Sequence, residues 1–110
     1  MLLKDRNGIY RGKAKIKNFL SFDIDIEAII NENGNIEVTT FAPIVGKISH
    51  SISLDANYDK EEYSMQFGND IFEIKFNSND SINIELPENI KGSVIVTRNV
   101  VLYRISIEES

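Results

Sequence analysis

Residues 8–30 read GIYRGKAKIKNFLSFDIDIEAII. Apolar and polar side chains alternate on both sides of Asn18-Phe19-Leu20, the pattern of two strands that each bury one face. With Asn18-Phe19-Leu20 as a three-residue loop, Ile16 falls opposite Phe22, Ala14 opposite Ile24 and Gly12 opposite Ile26. On the other face Lys15 meets Asp23, Lys13 meets Asp25 and Arg11 meets Glu27. A two-residue loop would set lysines opposite Phe22 and Ile24 instead. Side chains alternate with period 2, so a one-residue slip exchanges the two faces. The stretch therefore predicts a β-hairpin in a single register.

The alternation continues along the chain. Strands are predicted at about 8–17, 21–31, 35–42, 47–58, 62–68, 71–77 and 81–86. The segment 93–108 is too long for one regular strand, and either bends at Arg98-Asn99 or turns there into a ninth strand. Glu32-Asn33-Gly34 as a loop pairs Ile30 with Ile36 and Ala28 with Val38, with Gly34 in the left-handed position of a bulged hairpin. Asn69-Asp70 fits a two-residue turn that pairs Phe67 with Phe72 and Met65 with Ile74. Ser78-Asn79-Asp80 fits a three-residue loop that pairs Phe76 with Ile82. Successive short hairpins make antiparallel neighbours, which is an up-and-down meander. Helical periodicity is nearly absent, so no helix is at hand to cover the apolar face. Closure into a barrel buries that face and removes the edges. The expected fold is all-β, one domain over 1–110, an antiparallel meander of about eight or nine strands closing into a small barrel. A two-sheet β-sandwich is the alternative.

Composition narrows the chemistry. The 110 residues include no cysteine and one histidine, which excludes a disulfide framework, a thiolate zinc site and a multi-histidine metal centre. No cofactor or metal is expected. Asp23, Asp25 and Glu27 alternate along a strand about 7 Å apart, too far for one calcium ion to bridge. The 18 Ile and 12 Asn are what A/T-rich codons write, and point to a low-GC bacterial or phage source. No apolar run approaches the ~18 residues of a membrane helix. Residues 1–8 carry no signal-peptide core, so a cytoplasmic protein without a membrane partner is expected. Residues 1–17 hold six basic groups and one acidic group, while the whole chain is acidic at −5. The basic stripe Arg11, Lys13, Lys15, Lys17 suggests nucleic acid, but its register against Asp23, Asp25 and Glu27 neutralises it, and no nucleic-acid partner is expected.

His50 alternates onto the apolar face of the fourth strand, between Ile48 and Ile52, while Ser49 and Ser51 point the other way. Arg98 follows Val94 and Val96 at even spacing, which would turn it inward. Thr40, Tyr10 and Tyr103 are further polar-tipped residues at candidate inward positions. A meander opening with Gly8-Ile9-Tyr10-Arg11-Gly12 also resembles the calycin-like barrels, the lipocalins and fatty-acid-binding-type proteins. Members often begin with a glycine–aromatic pair on the first strand and carry a late arginine, places that Tyr10 and Arg98 can fill. The chain has no tryptophan near its start and no lid helices. The resemblance implies an internal ligand cavity with polar tips.

Three functions are open at this point. The first is non-enzymatic binding of a small anionic or amphipathic ligand in the barrel, through Tyr10, Thr40, His50, Arg98 and Tyr103. The second is a small acidic protein-interaction module, a phage- or plasmid-type inhibitor or assembly subunit. It would act through acidic residues such as Asp55, Asp59, Glu61, Glu62, Asp70 and Glu88, with Glu108 and Glu109. The third and least supported is a barrel isomerase or cyclase using His50 and a tyrosine. A homodimer is a further expectation, because Ile95, Val101, Ile105 and Ile107 form a second apolar set.

Overall fold

The computed structural model describes residues 2–42, 46–67, 70–78, 80–90 and 93–106. Ten strands are present among them: β1 (Gly8–Asn18), β2 (Leu20–Ile30), β3 (Asn35–Ala42), β4 (Gly46–Ser53), β5 (Glu62–Phe67), β6 (Asp70–Ser78), β7 (Ser81–Glu85), β8 (Asn89–Ile90), β9 (Ser93–Ile95) and β10 (Asn99–Ser106). All pairings are antiparallel, and the sheet order is β4-β3-β2-β1-β10-β7-β6-β5. That is the order of an eight-stranded up-and-down barrel cut along one seam, and the sheet curls into an open half-barrel. The first and last long strands, β1 and β10, do pair, as a closed meander requires. Among the described residues β4 and β5 do not, so the ring stays open there.

The opening hairpin has the register that charge and apolarity dictate. Ile16 pairs with Phe22, Ala14 with Ile24 and Gly12 with Ile26, while Lys15, Lys13 and Arg11 pair with Asp23, Asp25 and Glu27. Phe19 stands alone at the tip with φ 66°. The next hairpin pairs Ile30 with Ile36 and Ala28 with Val38, and Gly34 has φ 93° as expected. A Cβ on Gly34 would run into the carbonyl oxygen of Leu54. Leu54 N–H donates to the Gly34 carbonyl at 2.9 Å, which is why that approach is so close.

Two expectations need correction, and the open choice for the last segment is decided. The β5–β6 register pairs Met65 with Phe72 and Tyr63 with Ile74, two residues away from the expected one, and Asp70 is a strand residue opposite Phe67. A two-residue slip leaves every side chain on its own face, so hydrophobic alternation cannot choose between the two registers. The fourth strand ends at Ser53 and not near Tyr58. Asp55 stops it, accepting from Asn57 N–H on its side chain and from Tyr58 N–H on its carbonyl, both at 2.9 Å. The last segment bends and does not turn back. β9 and β10 both run antiparallel to β1 along the same edge, Ile16 opposite Ile95 and Arg11 opposite Tyr103. Between them Val96 and Thr97 both donate N–H groups to the single carbonyl of Lys15, at 2.8 and 3.2 Å.

The inner face is filled. Tyr10, Ile26, Ala28, Ile30, Ile36, Ile82, Ile84 and Leu102 are fully buried, and Ile24, Val38, Phe72, Ile74, Phe76 and Val100 nearly so. A short 3₁₀ turn, Leu3–Arg6, covers one end. It is tied down by backbone bonds from Leu3 N–H to Tyr58 O (2.8 Å) and from Lys4 N–H to Ala56 O (3.0 Å). These bonds insert Leu3 into the core. Burial at about 25 cal/mol per Å² makes this apolar interior the main source of stability.

Candidate binding surface

The five residues expected to line a cavity do not converge on one. Tyr10 is fully buried beneath the 3₁₀ turn, and its hydroxyl donates to the Arg6 carbonyl at 2.6 Å. Burial pushes the phenol above the usual tyrosine range, while the Arg104 and Arg6 guanidiniums partly oppose the shift. Thr40 is buried in β3, opposite Ile26 and Ile48. His50 is half-buried on β4 at the open seam, its ring 5.3 Å from that of Phe72 and inclined at 48°. Tyr10, Ala28, Val38 and His50 form one row across four strands, so roughly 14 Å separates the two polar ends along the sheet.

Arg98 and Tyr103 lie outside. The Arg98 guanidinium is 43% exposed, between Glu85 at 3.7 Å and Glu88 at 3.8 Å, and its Nε reaches the Leu86 carbonyl at 3.3 Å. Tyr103 is 62% exposed. The inward expectation for Arg98 took Val94 and Val96 as inward, but both are exposed and Ile95 is the buried residue of that segment. The bulge at 96–98 then reverses the parity, and beyond it Val100 and Leu102 point in. Tyr103 then falls on the outer face.

The late arginine that enters the fold is Arg104. It lies opposite Tyr10, is 13% exposed, donates to the Asn7 carbonyl at 3.2 Å and pairs with Asp80 at 3.0 Å. Arg6 joins it at this end, its guanidinium 4.5 Å above the Phe76 ring in a cation–π contact. Sequence reasoning missed both. Arg104 was legible from its even spacing with Val100 and Leu102. Arg6 was not, because the 3₁₀ turn that buries it has no periodicity to read. The cluster is internally satisfied and braces the N-terminal turn against the half-barrel.

The unsatisfied surface is the outer one. Val101, Tyr103 and Ile105 alternate outward along β10 with exposures of 40%, 62% and 54%, in the middle of the sheet. At the β1–β2 tip Phe19 and Leu20 stand in solvent, and Val94 and Val96 are exposed on the segment that pairs with β1 below the tip. Two depressions flank the β10 strip. One, about 520 Å³, is lined by Arg11, Lys13, Asp25, Glu27 and Phe41 on β1–β3. The other, about 350 Å³, is lined by Glu62, Glu73, Lys75, Asn83 and Glu85 on β5–β7. Among the described residues no cluster of three or more His, Cys, Asp or Glu could hold a metal ion, and no helix is long and apolar enough to cross a membrane.

Compared with protein-family models, curated proteins and solved structures, the chain matches none.

Proposed function

We propose that the chain is a non-enzymatic protein-binding module whose outer surface makes the contact. One contrast supports this reading. The inner face, where a barrel would hold a small ligand, is occupied by the protein's own Tyr, Ile, Leu and Phe side chains, while large apolar side chains stand exposed on the outside. Exposed apolar area grouped in this way, rimmed by charge, is characteristic of interaction sites. Tyr103 and Phe19 are the anchors, since aromatic residues dominate the energetics of such contacts. The test is a photo-cross-linking amino acid placed at Phe19, Val94 or Tyr103, with Ser51 and Asn77 as outward polar controls. Adducts with a polypeptide from the apolar positions, and none from the controls, are expected. The reading fails if none of the three apolar positions gives an adduct.

A second reading rests on the seam. β4 is an edge, and Ile48, His50 and Ile52 on its inner side are only half-buried. A small amphipathic ligand lying between β4 and β5, with His50 as its polar contact, would complete the ring in a calycin-like manner. Native mass spectrometry distinguishes this reading, because it requires a non-covalent mass on the purified protein.

A further inference from the structure

The outer face of the sheet is patterned so that it complements a copy of itself. One row across it runs Phe41, Asp25, Lys13, then Asn83, Lys75, Glu62. β10 lies in the middle. Arg11 pairs with Tyr103, so continuing that register sets Lys13 beside Val101, which itself pairs with Asn83. On one side of β10, β1 presents Arg11, Lys13 and Lys15. On the other, β7 presents Ser81, Asn83 and Glu85 with no basic residue of its own, and Arg98 lies 3.7 Å from Glu85. The strip on the axis, Val101, Tyr103 and Ile105, is apolar and exposed.

We infer that this face binds a second copy of the chain, the two sheets packing outer face to outer face about a two-fold axis that runs along β10. The inference rests on the protein-binding reading above and names its partner. A two-fold along the strands exchanges left and right. Lys15 then meets the partner's Glu85, Lys13 meets the partner's Asn83, and Asp25 meets the partner's Lys75. A two-fold across the strands would instead bring Lys13 onto the partner's Lys13 and Asp25 onto the partner's Asp25. Like charges across an interface are costly, so the charge pattern selects the first axis. One meeting is unfavourable, Asp23 with the partner's Glu73. It lies two strands from the axis, where two convex surfaces have already diverged. The same convexity keeps the contact near or below the ~800 Å² per partner of a standard interface, so the dimer dissociates in the micromolar range.

Sedimentation velocity on the full chain from about 1 to about 200 µM tests this. A reversible monomer–dimer equilibrium is expected. Tyr103→Arg abolishes it without changing the circular dichroism spectrum, since the side chain is exposed. Lys15→Glu and Glu85→Lys each weaken it about tenfold, and the double variant recovers most of the loss because it only exchanges the signs. A wild-type monomer throughout overturns the inference, as does a dimer that survives Tyr103→Arg. Failure of the double variant to recover overturns the axis and with it the proposal. A photo-cross-linker at Tyr103, used in cells, separates the two levels of the argument. An adduct of two copies supports the inference. An adduct with a different polypeptide overturns it while leaving the protein-binding reading intact, and no adduct at Tyr103, Phe19 or Val94 defeats both.

Discussion

Tyr10 connects the N-terminal turn to the barrel wall through one hydroxyl. Tyr10→Phe removes the bond to the Arg6 carbonyl and is expected to cost about 1 kcal/mol. The pH dependence follows from the direction of its shift. A phenol held above its unfolded value favours the folded state fully at lower pH. That contribution is lost as pH rises beyond about 10, where the unfolded chain ionises first. Urea titrations at neutral pH and at pH 10–11 should show wild type losing stability more steeply than Tyr10→Phe. An equal slope in the two proteins would remove Tyr10 from the explanation. Gly34 is a stricter position. Its φ of 93° and the Leu54 carbonyl directly beside it leave no room for a methyl group. Gly34→Ala should destabilise by about 2 kcal/mol or more, read as a shift of the urea midpoint.

At the scale of the element, the β1–β2 hairpin shows what a charged register contributes. Arg11 and Glu27 form an ion pair at 2.8 Å with the carboxylate mostly covered, and Lys13 and Asp25 are 3.9 Å apart with both ends exposed. Lys15 and Asp23 share a register position without closing an ion pair. Double-mutant cycles should give coupling of about 0.5 kcal/mol for the first pair and close to zero for the other two. The three charge pairs therefore discriminate between registers more than they stabilise the correct one. The hairpin tip is strained, since Phe19 holds φ 66° while its ring is 98% exposed. Phe19→Gly should stabilise the monomer by about 0.5–1 kcal/mol, because glycine adopts this backbone without strain. A loss of stability would mean that the ring packs on Leu20 or Val94. A residue that costs the monomer stability and stands fully in water fits a contact made with another molecule.

At the scale of the whole molecule, the sheet has a protected centre and two open margins. β1, β2, β10 and β7 are paired on both sides, and their inner residues are buried. Among the described residues β4 and β5 are each paired on one side. Amide exchange should be slowest at Ile24, Ile26, Leu102 and Ile84 and fastest along the outer edge of β4, as measured by exchange mass spectrometry. β4 carries Lys47, Ser49, Ser51 and Ser53 on its outer face, a polar edge that discourages open-ended pairing. Rapid exchange in β10 together with protection of β4 would contradict this arrangement.

The sequence by itself determined the local pairings wherever parity and turn chemistry acted together. The registers of β1–β2 and β2–β3, the left-handed Gly34 and the pairing of Phe76 with Ile82 were all legible, because a one-residue error would have buried lysine or exposed isoleucine. Tertiary structure decided what parity cannot see. A two-residue slip in β5–β6 costs nothing in alternation, and the bulge at 96–98 reverses which face Tyr103 and Arg104 occupy. The candidate surface depended on that reversal. Val94 itself faces out, so reading even spacing forward from it as an inward set placed a ligand anchor where an exposed arginine stands. Whether the ring closes was likewise beyond local pattern. Alternation specifies which face of each strand is buried, whereas closure depends on how far the curled sheet carries β4 toward β5, a sum of twists over eight strands that no single residue encodes.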